Sequence, residues 1–530
     1  MAGSTEIKLS KGTAAGETEG KTRSAKRDSK PTSSTNTKAK TKTTDEQAGK
    51  PIYRRGGDTG REWGDNWPYP LRLGIGIILT INFVIFWAFP IWSQGQLWRK
   101  VLCPFLRPVY QYFDNNKHLR AFAAKYIYRN PRHADFFFQA CLVNIGWGLP
   151  FLYILYQQVK YGTLTWLQIY FYYFAWVGFG GRIMGSAYTF AHKEGHNNYL
   201  YKPWLANTIG NWFENWIGSF FGNLPYNFST SHIYIHHRLN AGSGDTFYQW
   251  DLDRTSWKHF MIFLHRIILH TIGISSFMYF LQNPRYRKQA FQLAWGIVIY
   301  WVIVPTMLFK LTHSWSFFFF VYIQPQICMT FFLAFMNYAF HAFIDYNEDG
   351  RHITCVNSTL IVGGDDDYFG EDDHMAHHNA THVYWRDLPA FQKTQYEKWR
   401  THNASVFRGL SIVELAALIL FKDWNSLAEH YVQFNDGDEH DVQEPNNAAW
   451  GSLAHGKRTD SESKRLCELG SENLTETFKS SVWNRTGRLN KEEIIAMLKS
   501  RATRLEPRDI PYEVLPLEEF EGMGDPDKMN

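Results

Sequence analysis

Three short runs carry the chemistry of this sequence. "HKEGH" places His192 and His196 four residues apart, "HIYIHH" supplies His232, His236 and His237, and "HMAHH" supplies His374, His377 and His378. Residues three or four apart share one face of a helix, so each run presents its imidazoles together. Histidine is expensive to bury in an apolar chain and serves there chiefly as a metal ligand or proton carrier. His341, within "FMNYAFHAF", brings the candidate set to nine. A zinc site takes three or four protein ligands, so nine exceed one such site. Shared between two irons, they supply about four or five nitrogens each and leave about one or two octahedral positions open for dioxygen.

Such a set works only if the chain gathers it. The mean hydropathy of −0.34 averages two polar ends against a middle dense in Phe, Tyr, Trp, Leu and Ile. Aromatics at 17% exceed what a core needs and suit the two membrane–water interfaces. Segments 72–92, 136–157, 164–185, 289–309 and 315–336 are apolar over about 20 residues, the length of helix that crosses a bilayer. The stretch 259–281 carries His259, His265, Arg266 and His270 and reads as a helix lying in the interface, with His265 and His270 turned to headgroups. Residues 409–421 are too short to cross and are expected to pack on the domain. The expected fold is all-α, a polytopic helical membrane domain over 67–430. It is flanked by a disordered basic tail, 1–66, too poor in large apolar residues to offset the entropy of folding. A polar C-terminal tail, 431–530, follows, with one helical pattern at 490–505.

Topology lets the boxes meet. No convincing span separates the first box from the second, so both share a membrane face. Two spans joined by a short turn lie between His237 and the third box, so the chain crosses and returns. The second of them delivers His341 to the same boundary. Asp365, Asp366, Asp367, Glu371, Asp372 and Asp373 read as a solvated acidic loop, the alternative being hydrogen bonds to the imidazoles or recruitment of a basic electron donor. His352 and His382 belong to no box and are placed outside the ligand set. If the boxes lie on the cytosolic face, the basic loop 93–133 is cytosolic too, and then either the tail lies opposite across a single span 72–92, or that segment is re-entrant, or the chain crosses again near 101–113.

Other chemistries fit less well. Five scattered cysteines without a CxxC pair argue against a disulfide scaffold, a zinc ribbon and a built-in rubredoxin-like iron site. "GFGGRIMG", 178–185, has the glycines of a nucleotide loop but lies in an apolar segment, where small residues serve close helix packing. No haem, flavin or nicotinamide pattern is present, so electrons must come from a separate donor. A net charge of only +5, with no folded basic face, excludes nucleic acid as an expected partner. A zinc hydrolase built on "HKEGH" needs Glu directly after its first histidine, where Lys193 stands. A histidine proton relay would place its ionisable groups inside the spans.

The order HxxxH, HxxxHH, Asn-Tyr-x-x-His and HxxHH, within roughly residues 70–425, resembles the integral-membrane fatty acid desaturase and hydroxylase superfamily. The second-box spacing is closest to the alkane 1-monooxygenase-like branch. The resemblance implies a histidine-rich di-iron centre at the cytosolic face, in the endoplasmic reticulum membrane if the cell is eukaryotic. It implies dioxygen and two electrons from a separate reductase, rubredoxin-like or cytochrome-type carrier, used to oxidise a C–H bond in a lipid alkyl or acyl chain. It also assigns iron ligation to His192, His196, His232, His236, His237, His374, His377 and His378, with His341, after Asn337 and Tyr338, as the additional ligand. Hydroxylation is expected over acyl-lipid desaturation, since desaturases more often show HxxHH at the second box. Two positions depart from the monooxygenase pattern: Lys193 stands where Glu follows the first histidine, and Phe340 where Glu precedes the isolated one.

Overall fold

A computed structural model describes residues 52–53, 67–434, 488–506 and 513–514, apart from 198–199, 240, 243, 283, 348–351, 364–367 and 382. Almost all of the expected N-terminal tail, most of the C-terminal one, and Asp365, Asp366, Asp367 and His382 lie outside the described residues.

Helices Tyr69–Asp114, Pro131–Tyr161, Pro284–Thr312 and Trp315–Phe340 are long and apolar enough to cross a membrane. Hydrocarbon offers no partner to backbone N–H and C=O groups, and a helix satisfies them within its own segment. The chain is a multi-pass, all-α membrane protein. Pro284–Thr312 and Trp315–Phe340 form the expected hairpin, turned by His313 at φ 50°. The second arm is the central span, more deeply buried than the other three. Helix Ile412–Phe421 packs on it through buried Ile412, Leu415, Ala416 and Ile419, as its short length foretold. Two short strands, Leu360–Val362 and Val406–Arg408, pair in parallel beside the site.

Several sequence expectations change. The first helix runs for 46 residues, about 70 Å at 1.5 Å per residue, against about 30 Å of hydrocarbon. The stretch from 93, read as a loop, is therefore helix as far as Asp114. The segment 164–185 is two helices and not one span. Trp166–Val177 stops at Gly178 and Arg182–His196 starts after Gly181, because Gly178, Gly180 and Gly181 adopt φ of 42°, 75° and 96°. These glycines break the helix. The expected close packing is present as well, since a Cβ would lie 2.4 Å from Ile183 at Gly178 and 2.4 Å from the Tyr368 ring at Gly185.

The stretch 259–281 is also broken, into Trp257–Thr271 and Ile274–Gln282, bent by 71°. His265, Arg266 and His270 face protein, not headgroups, and all three are buried. His270 hydrogen-bonds Asn227, Thr246 and Ser276, and Arg266 forks onto Asp251. The pattern at 490–505 is the helix Lys491–Thr503, opened by a capping box between Asn490 and Glu493. Ile494, Met497, Leu498 and Ala502 are buried in one cluster with Val406, Leu427 and Tyr431, so this part of the polar C-terminal region packs on the domain.

Candidate metal centre

Each box sits on its own element. Helix Arg182–His196, buried along most of its length, turns His192 and His196 to one side. The second box lies on a π-helix, Phe228–His237, and not on the α-helix that its spacing suggested. Its wider i→i+5 turn keeps residues i, i+4 and i+5 together, so His232, His236 and His237 all face inward. His341 caps the central span at φ −116°, and the third box occupies the short helix His374–Asn379 behind Asp373, whose side chain accepts from Ala376 N.

All nine imidazoles meet. His192, His196, His232, His237 and His377 form one group, and His236, His341, His374 and His378 a second; within each, the ligating atoms all lie within 4.8 Å of one another. Neighbours in sequence part company, since His236 and His237 join different groups, as do His377 and His378. The groups adjoin, with the rings of His237 and His378 4.6 Å apart.

The nitrogens point at one another. Nε2 of His192 lies 2.7 Å from that of His232 and 3.2 Å from that of His196; Nε2 of His237 lies 3.0 Å from His232 and 2.9 Å from His377. In the second group Nε2 of His341 and His374 are 2.9 Å apart. Three rings are fixed from behind. His192 Nδ1 donates to Glu371 at 2.7 Å, His236 Nδ1 to Asp245 at 2.8 Å, and His341 Nδ1 to the Asn357 carbonyl at 2.8 Å. A neutral imidazole that donates through Nδ1 presents a bare lone pair at Nε2. His236 Nε2 and both ring nitrogens of His378 are buried without a hydrogen-bond partner. Burial first, and neighbouring imidazoles second, hold His196, His232, His237, His374, His377 and His378 well below the ordinary histidine range, hence neutral. Lone pairs converging in this way call for cations between them, and the residues present fit two metal ions.

Residues 164–410, which contain every one of these histidines, match the family model described as fatty acid desaturase. This match supports the fatty acid desaturase and hydroxylase superfamily for the region that carries the histidines. Neither the curated proteins nor the solved structures give a match. The matched family implies an oxidoreductase.

Its departures from the monooxygenase pattern have structural answers. Lys193 Nζ lies 3.0 Å from Glu371, so Lys193 holds the same carboxylate that orients His192. Burial opposes charge on Glu371, but His192 and Lys193 beside it hold its carboxyl down to about 2. Phe340 stacks on His374 with ring centroids 4.3 Å apart. Glu194 faces away from the nitrogens, accepting from Tyr201 Oη at 2.5 Å and Glu214 N at 2.8 Å, and burial pushes its pKa up to about 8. "HKEGH" thus offers no base toward a metal.

The acidic run is not a solvated loop where it is described: Asp372 and Asp373 are buried, Asp373 accepts from Gln392, and Glu371 braces His192. His352 stays outside both groups. Asp245 and Asn357 were not singled out in the sequence. Asp245 had a signal, an acid closing the Gly-rich turn after the second box, whereas Asn357 acts through a main-chain carbonyl and had none.

A cavity of about 30 Å³ lies against the centre, lined by His192, His232, His374, Tyr188, Phe247 and Phe340. A larger one of about 780 Å³ runs between the first helix and the central span, walled by Phe83, Trp87, Met184, Phe331 and Phe335. Tyr188, Met336, Phe340 and Glu371 line both.

Proposed function

We propose that this protein is a membrane di-iron oxygenase that oxidises C–H bonds of a lipid alkyl or acyl chain, hydroxylation being the favoured outcome. The observation that carries the reading is the convergence of nine imidazoles, as a five and a four, against a small cavity that shares Tyr188, Met336, Phe340 and Glu371 with a large apolar one. His192, His196, His232, His237 and His377 would hold one iron, and His236, His341, His374 and His378 the other. Iron, when bound, supplies dioxygen chemistry at an unactivated C–H bond, with two electrons delivered by a separate reductase or small carrier. Iron accepts imidazole and leaves positions open, whereas zinc is filled by four ligands.

The protein's own part is positioning. Glu371, Asp245 and the Asn357 carbonyl hold three rings with Nε2 inward. The aromatic wall formed by Phe83, Trp87, Phe331 and Phe335 admits a hydrocarbon chain and excludes water. Tyr188, Met336 and Phe340, at the junction of the two cavities, select which carbon reaches the smaller space. The HxxxHH spacing of the second box favours hydroxylation, and the desaturase family match favours the alternative, acyl-lipid desaturation. In a eukaryotic cell the endoplasmic reticulum membrane is the proposed location.

Metal analysis of the purified protein, followed by reconstitution with labelled dioxygen and a mixed lipid extract, tests the reading. Iron at about two per chain and a labelled alcohol support it. An unlabelled product two hydrogens lighter promotes desaturation, and one zinc without iron removes the oxygenase.

A further inference from the structure

The segment from Lys491 to Glu506 lies outside the matched family region, yet it grips the loop that follows His341. Buried Asp345, four residues beyond that histidine, receives Arg501 Nε at 2.9 Å and Arg504 Nη1 at 2.6 Å. Arg501 also donates to the carbonyls of Asn403 and His402, at 2.6 and 2.9 Å, and its own carbonyl accepts from Ile344 N and Arg254 Nη2.

Beyond the helix the chain ends its described run at Glu506, and there the contacts become directional. Glu506 accepts from Tyr248 Oη at 2.5 Å and from His352 Nε2 at 2.9 Å. His352 Nδ1, left as an acceptor, takes Asn357 Nδ2 at 2.6 Å. The same Asn357 offers its carbonyl to His341 Nδ1 at 2.8 Å. A second route runs from Glu506 N to the Trp250 carbonyl at 2.8 Å and from Trp250 Nε1 to the His341 carbonyl at 2.9 Å, with Trp250 stacked on His352. Glu506 holds the His352 proton on Nε2, so Nδ1 accepts from Asn357 Nδ2, and the residue so held presents its carbonyl to His341 Nδ1.

We propose that residues 491–506 form a positioning strap for the four-histidine group, in which Glu506, acting through His352 and Asn357, aims the ring of His341. This rests on the reading of His341 as a metal ligand, and it makes the metal affinity of that group depend on a segment more than a hundred residues downstream. Glu506 and His352 are positioning residues and touch no reacting atom. The five-histidine group, braced by Glu371, has no part in the strap.

The test uses full-length protein carrying Glu506→Ala, Glu506→Gln or His352→Asn. Ferrous iron is titrated anaerobically, and amide exchange is followed in metal-free protein. Loss of such an outer contact weakens metal binding about 10-fold or more, so Glu506→Ala and His352→Asn should weaken one of two irons and leave the other unchanged. Glu506→Gln, which keeps an acceptor for His352, should restore most of the affinity. In the metal-free variants, amides of 341–359 should exchange faster while helix Arg182–His196 keeps its wild-type rate. Unchanged affinity and exchange in Glu506→Ala, or equal weakening of both irons with faster exchange throughout, would overturn the strap. A wild-type protein that takes up no iron would sink the di-iron reading alone, and the exchange result would still decide whether the strap holds the 341–359 loop. His352→Asn serves where Glu506→Ala yields no folded protein.

Discussion

Glu371 Oε2 accepts a hydrogen bond from His192 Nδ1 at 2.7 Å, so a carboxylate 179 residues downstream sets the direction of the first-box lone pair. The same carboxylate lines both cavities and is held by Lys193. It therefore joins the first box to the third-box loop, and with them the histidine groups to the larger cavity.

Replacing Glu371 by Ala is expected to lower metal affinity in the five-histidine group by about 10- to 100-fold, the usual cost of removing a carboxylate behind a ligating histidine. Glu371→Gln should lose less, since its amide oxygen still accepts from Nδ1. Iron titration of the purified variants measures both.

His236→Ala and His377→Ala should differ. His236 is one of four nitrogens and His377 one of five. The first variant is expected to retain about one iron per chain and the second closer to two, with turnover lost in both because each iron site needs its full set. Elemental analysis beside an activity assay separates the outcomes. Equal iron content in the two variants would contradict the partition.

Met336→Trp places an indole at the junction of the two cavities, where Met336 lines both walls. Turnover of long chains should fall roughly 100-fold, the scale on which misplacement of a reacting group is felt. Iron content should remain unchanged, because Met336 belongs to neither histidine group. Comparing substrates of graded length checks this, with the shortest least affected.

Arg501→Met removes one of the two guanidinium groups described against the buried carboxylate of Asp345. A cost of about 3–5 kcal/mol is expected, read as a lowered melting temperature of the detergent-solubilised protein. Truncation at 434 should be harsher still. Deletion of residues 1–50, which offer little to bury, should leave both stability and iron content near wild type.

The sequence by itself determined what depends on local spacing. The histidines of the three boxes, the apolar runs of four spans, the hairpin that returns His341 to the others, and the inability of 409–421 to cross all follow from periodicity and length. The glycines at 178–181 were visible too, but their effect turned on backbone conformation: positive φ at Gly178, Gly180 and Gly181 ended a helix that hydropathy alone would continue. Tertiary structure decided the rest. Whether His236 and His237 serve one group or two depends on the π-helical turn that carries them and on which imidazoles arrive from other elements. The acceptors behind the rings, Glu371, Asp245 and the Asn357 carbonyl, are chosen by packing, and a main-chain carbonyl leaves no mark in a side-chain pattern. Arg501 and Glu506 look like solvated charges in a polar tail. Only the folded chain brings them to Asp345 and His352, because a buried ionic contact is specified by the partner's position and not by the residue's own neighbours.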